Sequence, residues 1–237
     1  MKQLDLTLST PEENLALDEA LLDLCDTGGE EVLRFWESDS HFVVLGYSNK
    51  IDEETNREIC AQQKIKILRR VSGGGTVLQG PGCLNYSLIL NTRHTDVATV
   101  TGTNHFVMSR LRSALAKQLH KPVTIEGHTD LAINGLKFSG NAQRRKQNAL
   151  LFHGTLLYHF DFEKVEGLLK PPPRQPEYRA GRSHRDFLMN LNEDEGTIKS
   201  VLAETWKAKT ILESIPREAV QKLIEEKYSK EEWNSKF

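Results

Sequence analysis

The chain has 237 residues, 38% of them hydrophobic, with 31 basic and 33 acidic side chains and a net charge of −2. That length can bury one large core, and the balanced charge supplies no global field to draw the protein onto nucleic acid or an anionic membrane. Cys25, Cys60 and Cys83 are too few and too scattered for a disulfide framework or a metal cluster, and no run approaches the ~18 apolar residues of a membrane span, so a cytoplasmic globular protein is expected.

In chain order, Thr10-Pro11-Glu12-Glu13 reads as a capping box, followed by Leu17, Leu21 and Leu24 at helical spacing and stopped by Gly28-Gly29. Residues 32–37 and 41–47 are rich in β-branched and aromatic side chains and predict strands. Residues 52–63 suit a polar surface helix, 65–70 a third strand, and 84–90 a strand that leaves a glycine-rich stretch. Val107, Leu111, Leu115 and Leu119 mark one face of a helix over 104–119. Asn134-Gly135, flanked by "DLAI" and "LKFSGNAQ", predicts a type I′ hairpin, and 149–160 adds another strand. Residues 170–187 carry prolines and arginines without periodicity; at that length a lid or binding segment competes with a plain surface loop, since idle loops rarely exceed about 12–15 residues. From about 195 the chain predicts two charged helices. Strands mixed with helices, without strict alternation, imply an α+β fold: a mixed, largely antiparallel sheet flanked by helices.

Two constellations carry chemistry. "RRVSGGGTVLQGPG" (69–82) sets Arg69 and Arg70 beside Gly73, Gly74 and Gly75. Glycines let backbone N–H groups approach an anion closely, although a tight strand-to-strand loop with no ligand explains the same residues. No Gly-Lys-Ser/Thr follows, and a strand rather than a helix comes next, so neither a P-loop nor a dinucleotide fingerprint is present. "GLKFSGNAQRR" (135–145) places Lys137 on a hairpin strand ahead of Ser139, Gly140 and Ala142, and it reads either as a cation aimed at a ligand or as a solvated strand lysine. His153, inside the apolar "FHGTLL" (152–157), fits a satisfied core histidine as readily as a working one.

Taken in order, "NLALDEALL" (14–22), "LRFWESDSHFVVLGYSN" (33–49), "RRVSGGGTVLQGPGCLNYSL" (69–88), "TDLAINGLKFSGNAQRR" (129–145) and "FHGTLL" resemble the lipoate–protein ligase family, within the wider group of biotin/lipoate ligases and octanoyltransferases. The resemblance covers about residues 10–190 and implies a catalytic domain over 1–190, with 191–237 a short helical extension in place of a full accessory domain. It implies that ATP and Mg²⁺ activate lipoate to an acyl-adenylate, whose acyl group then passes to a lysine of a lipoyl-acceptor domain. By the same resemblance, Lys137 is the essential catalytic lysine. Arg70, Ser72, Gly73, Gly74, Gly75, Ser139, Gly140, Ala142 and His153 hold the adenylate. Val77, with Val44, Leu45 and Leu78, lines an apolar tunnel, and Asp130 sits near the nucleotide and Mg²⁺.

This chain departs from the pattern at Thr129, where relatives often carry asparagine, and at Gln79-Gly80, where many carry His-Asp. Gly80-Pro81-Gly82 is similar to the octanoyltransferase branch. A carrier-protein-dependent octanoyltransferase is therefore the rival reading, and it needs a nucleophilic cysteine near the lysine. Residues 118–130 contain none, and Cys83 has no base assigned to it. A non-catalytic subunit that binds lipoyl domains is the third reading. A separate accessory subunit is an expected partner; nucleic acid and membrane are not.

Overall fold

A computed structural model describes residues 1–237. The first helix begins where its capping box lies: the Thr10 hydroxyl accepts from the Glu13 amide while the Glu13 carboxylate accepts from the Thr10 amide. Along the chain the elements are β1 (Lys2–Asp5), α1 (Pro11–Asp26), β2 (Val32–Trp36), β3 (Phe42–Leu45), α2 (Ile51–Glu54), α3 (Arg57–Gln62), β4 (Lys66–Arg69), β5 (Val77–Gln79) and β6 (Cys83–Asn91). They continue with α4 (Val100–Leu119), β7 (Thr124–Glu126), β8 (Asp130–Ile133), β9 (Leu136–Arg145), β10 (Ala149–Leu157), α5 (His184–Phe187), α6 (Glu195–Thr205), β11 (Thr210–Ile211), α7 (Arg217–Leu223) and α8 (Glu231–Asn234).

Eight strands form one sheet in the order β11-β1-β2-β6-β10-β9-β8-β7. The pairs β11–β1 and β1–β2 are parallel and all the others antiparallel. A smaller sheet, β4-β3-β5, carries the glycine stretch between β4 and β5. The fold is the α+β arrangement expected from the sequence, a mixed sheet covered by helices on both faces.

Strand alternation divides the core. Leu33, Phe35, Tyr86, Leu88 and Phe152 point to one face and pack with Val107, Leu111 and Leu115 of α4 and Ile198 and Leu202 of α6. Val32, Trp36, Ile89 and Leu151 point to the other face and pack with Leu17, Leu21 and Leu22 of α1 and with Val220 and Tyr228. Burial on both faces explains why β6 reads as a nearly continuous apolar run. Arg34 is the exception on β2: the pleat turns it inward, where it meets Asp18 at 2.6 Å and Asn14 Oδ1 at 2.7 Å. Ser87 donates to the second Asp18 oxygen at 2.7 Å. A buried charge is tolerated when paired and hydrogen-bonded in this way.

Several expectations need correction. The helix read over 52–63 is broken at Thr55, where Asn56 caps α3 by accepting from the Ile59 amide. The helix read over 104–119 starts earlier, at Val100, because Thr99 caps it through the Gly102 amide. The second C-terminal helix is split into α7, a π-turn over Ile224–Tyr228, and α8. Residues 191–237 share both large cores, through Leu191, Ile198, Leu202 and Trp206 on one face and Val220 and Tyr228 on the other.

Candidate active site

Lys137 is aimed by an irregularity in its hairpin. The turn has the expected left-handed pair, Asn134 at φ 52° and Gly135 at φ 75°. Beyond it, Ala132 opposes Lys137 and Leu131 opposes Ser139, so Phe138 has no partner of its own. This bulge shifts the alternation by one and puts Lys137 on the same face as Gly140. Phe138 is buried in the core under α4 instead.

The Lys137 amine lies 2.8 Å from Asp130 Oδ1. The other Asp130 oxygen accepts a 2.7 Å hydrogen bond from the Tyr178 hydroxyl. A Cβ on residue 140 would stand 2.8 Å from Nζ of Lys137 and 3.0 Å from its Cε, so glycine there reserves the space the amine occupies. Further along the same face, Ala142 pairs with His153, His153 with Ser87, and Ser87 with Arg34.

The glycine stretch lies over this row. Gly74 has φ +90°, and a Cβ there would come within 2.9 Å of the Arg70 guanidinium and 3.5 Å of the Ala142 methyl. Arg70 is buried, and its donors go to the loop itself: to Gly73 O at 2.6 Å, Gly75 O at 2.9 Å and Ser72 Oγ at 3.1 Å. Drawing the Gly73 carbonyl inward turns the N–H of the same peptide outward. Gly73, Gly74 and Gly75 are exposed, so they present backbone and no side chain. Burial lowers the Arg70 pKa to about 10, which leaves it charged at neutral pH. The Ser72 hydroxyl shares a 2.5 Å hydrogen bond with Nε2 of His153. Burial, reinforced by the Arg70 charge, brings that histidine down to about 4, so it is neutral. Glu54 anchors the far end of the loop through the Asn49 amide at 2.7 Å and the Thr76 N–H at 3.2 Å.

The strand before the loop is held by the C-terminal segment. Arg69 sends its guanidinium to the carbonyls of Gly46, Tyr47, Asn49, Trp233 and Asn234. Its backbone N–H goes to Asn234 Oδ1, and its carbonyl accepts from the Trp233 indole.

The structure therefore brings Lys137, Asp130, Gly140, Ala142, His153, Ser72 and the three loop glycines to one face. Other expected residues are placed differently. Arg70 shapes the loop and has its donors on protein carbonyls. Ser139 points to the opposite face, because it pairs with Leu156 and is buried. The four tunnel residues do not form one wall: Val44 and Val77 pair and face the α1 core, while Leu78 turns to the small-sheet core. Asp130 is the counter-ion of Lys137, with one oxygen engaged by the amine and the other by the Tyr178 hydroxyl. In residues 170–187, Arg179 and Arg182 bond to neighbouring carbonyls and lie over the Phe187 ring, at 5.0 and 5.1 Å, as parts of a folded strap. Cys83 is buried beside Val43, Leu78 and Phe160, its thiol pushed far up by burial and 3.4 Å from Gln79 Oε1.

Sequence reasoning missed Tyr178, which lies in an aperiodic segment, and Asn141. The latter accepts from the Tyr86 hydroxyl, donates to Thr129 O at 2.6 Å and fills the space left by Gly154. An asparagine facing a glycine one strand away was the available signal.

Residues 10–213 match the family of the lipoyl protein ligase A/B catalytic domain. Lipoate-protein ligase A subunit 1 of Thermoplasma acidophilum is 28% identical over 97% of this chain and 95% of its own length. A probable lipoate-protein ligase A of Mycoplasma pneumoniae is 30% identical over 94% of this chain and 68% of its own. Octanoyltransferase LipM of Oceanobacillus iheyensis is 27% identical over 81% and 77%. Among solved structures, a lipoate-protein ligase A bound with ATP superposes with a TM-score of 0.83 at 25% identity, covering 99% of each chain. A chain from a structural analysis of an archaeal lipoylation system, a bi-partite lipoate protein ligase and its E2 lipoyl domain from Thermoplasma acidophilum, gives a TM-score of 0.83 at 26% identity, over 99% and 96%.

Proposed function

This chain belongs to the lipoyl protein ligase A/B catalytic family, and from that premise we propose that it is an ATP-dependent lipoate–protein ligase. One observation carries the reading. A lysine amine is held by a carboxylate on the face where Gly140 leaves it room and the exposed glycine loop lies above. An acyl-adenylate needs such a place, since lipoate carboxylate and ATP repel each other until fixed charges and donors bring them into line.

In the first step a lipoate carboxylate oxygen attacks the α-phosphorus, and the bond to pyrophosphate breaks. Lys137 moves from Asp130 toward the developing charge on the α-phosphate and acyl oxygens, and the N–H of the Gly73–Gly74 peptide donates to the phosphate. Magnesium enters chelated to the ATP phosphates, as part of the substrate. In the second step the ε-amine of the acceptor lysine attacks the acyl carbonyl carbon, and AMP leaves. Gly140 and Ala142 let the adenylate approach the strand backbone closely beside Lys137, and neutral His153 holds Ser72 beneath the loop.

The transferase reading is weaker here because Cys83 is buried with a raised pKa, which removes the thiolate that route needs. A binding-only subunit would have no use for an amine kept beside an empty glycine position. The test is to incubate the protein with lipoate, ATP-Mg²⁺ and a lipoyl-acceptor domain, with and without a candidate accessory subunit, and to weigh the acceptor by mass spectrometry. ATP-dependent lipoylation that falls by about 10²–10³ in Lys137→Ala is expected. Acylation only from octanoyl carrier protein, abolished in Cys83→Ser, would establish the transferase instead.

A further inference from the structure

We propose that Tyr178 is a positioning residue for Lys137, acting through Asp130 from a strap that crosses the catalytic hairpin. The three side chains form a line: the Tyr178 hydroxyl donates to Asp130 Oδ2 at 2.7 Å, and Asp130 Oδ1 receives the Lys137 amine at 2.8 Å. A carboxylate bonded at one oxygen only is free to rotate about its last torsion. Bonded at both, it offers the amine a single fixed acceptor.

The phenol is itself built in. Its ring packs on Phe187 at 5.1 Å, and Phe187 is buried under Arg179 and Arg182. Arg182 donates to Tyr178 O at 2.7 Å and to Gly135 O at 3.0 Å, which ties the strap to the tip of the hairpin that carries Lys137. Near the strap's end the Met189 N–H donates to the Lys137 carbonyl at 2.9 Å. The strap thus grips Lys137 at its backbone and, through Asp130, at its amine. Burial and the neighbouring Asp130 carboxylate push the phenol pKa far up, so it remains a donor.

The kinetic part of the test rests on the ligase reading; the spectroscopic part does not. In full-length protein labelled at the lysine ε-carbons, the Lys137 methylene order parameter should stand well above those of the exposed lysines and fall to their level in Tyr178→Phe. In the Asp130→Ala background, Tyr178→Phe should change it no further. In lipoate-dependent ATP–pyrophosphate exchange, Tyr178→Phe should lower kcat about tenfold while KM for ATP and lipoate stays within about twofold. An unchanged order parameter in Tyr178→Phe overturns the inference. So does an equal further loss in the Asp130→Ala background, which would mark the tyrosine as a prop for the strap alone. Lys137 rigidity that depends on Tyr178, in a wild-type protein making no adenylate, would sink the ligase reading and leave this inference standing. Adenylate formation and rigidity both indifferent to Tyr178→Phe would do the reverse.

Discussion

The proposed first step needs Lys137 to bridge two anions, which requires the space in front of it to stay clear, and Gly140 is what keeps it clear. Gly140→Ala puts a methyl group where the amine now lies. Since the lysine end is flexible, the fold absorbs the change, but the amine loses its contact with Asp130. We expect adenylate formation to fall by about 10–10², read by pyrophosphate exchange, with a melting temperature within about 4 °C of wild type. Lysine, glycine loop and hairpin turn were legible in the sequence because each is a local signal: residue type, spacing, and the Asn-Gly dipeptide. The direction of Arg70 was not, because a guanidinium flanking glycines has the same sequence signature whether it meets a ligand or the carbonyls of its own loop. Ser139 was misplaced for a related reason. The bulge at Phe138 moves the parity of the strand by one, and no residue type in "LKFSG" announces it.

Among the elements, α8 has the most leverage for its size. Asn234 is buried, accepts the Arg69 N–H at 2.9 Å and donates to Tyr228 O at 3.0 Å. Asn234→Ala leaves both partners unsatisfied, and we expect a loss of about 1–3 kcal/mol, read as a lower urea midpoint at unchanged slope. The capping box at Thr10, the apolar face of α4 and most strands could be read in advance, since each is a local signal along the chain. The break between α2 and α3, the two-residue β11 and the π-turn before α8 could not. Each depends on a partner far along the chain, such as Glu19 of α1, which receives the Tyr228 hydroxyl at 2.8 Å. The length of 170–187 left a lid and a plain surface loop both open, and the strap's main contact, Tyr178 with Asp130, joins segments with no shared pattern.

For the molecule as a whole, two neutral histidines set an acid limit. Burial depresses His153 and His184 to about 4 from the usual 6.5. The unfolded chain therefore takes up protons first, and stability present above about pH 6.5 is lost as the pH falls toward 4. Urea midpoints measured from pH 7 to pH 5 should decline, and His153→Gln should flatten that decline. The division into an α4-facing and an α1-facing core followed from strand alternation, whereas the parallel β11-β1-β2 edge, closed by residues from both ends of the chain, gave no advance sign. The contacts between Arg69 and Asn234 join positions 165 residues apart. On a ribosome, then, the large sheet can assemble while the glycine loop still lacks its clamp. A nascent chain halted before Trp233 should be protease-resistant in its sheet while its glycine loop stays open to cleavage, so the loop is ordered later than the sheet that carries it.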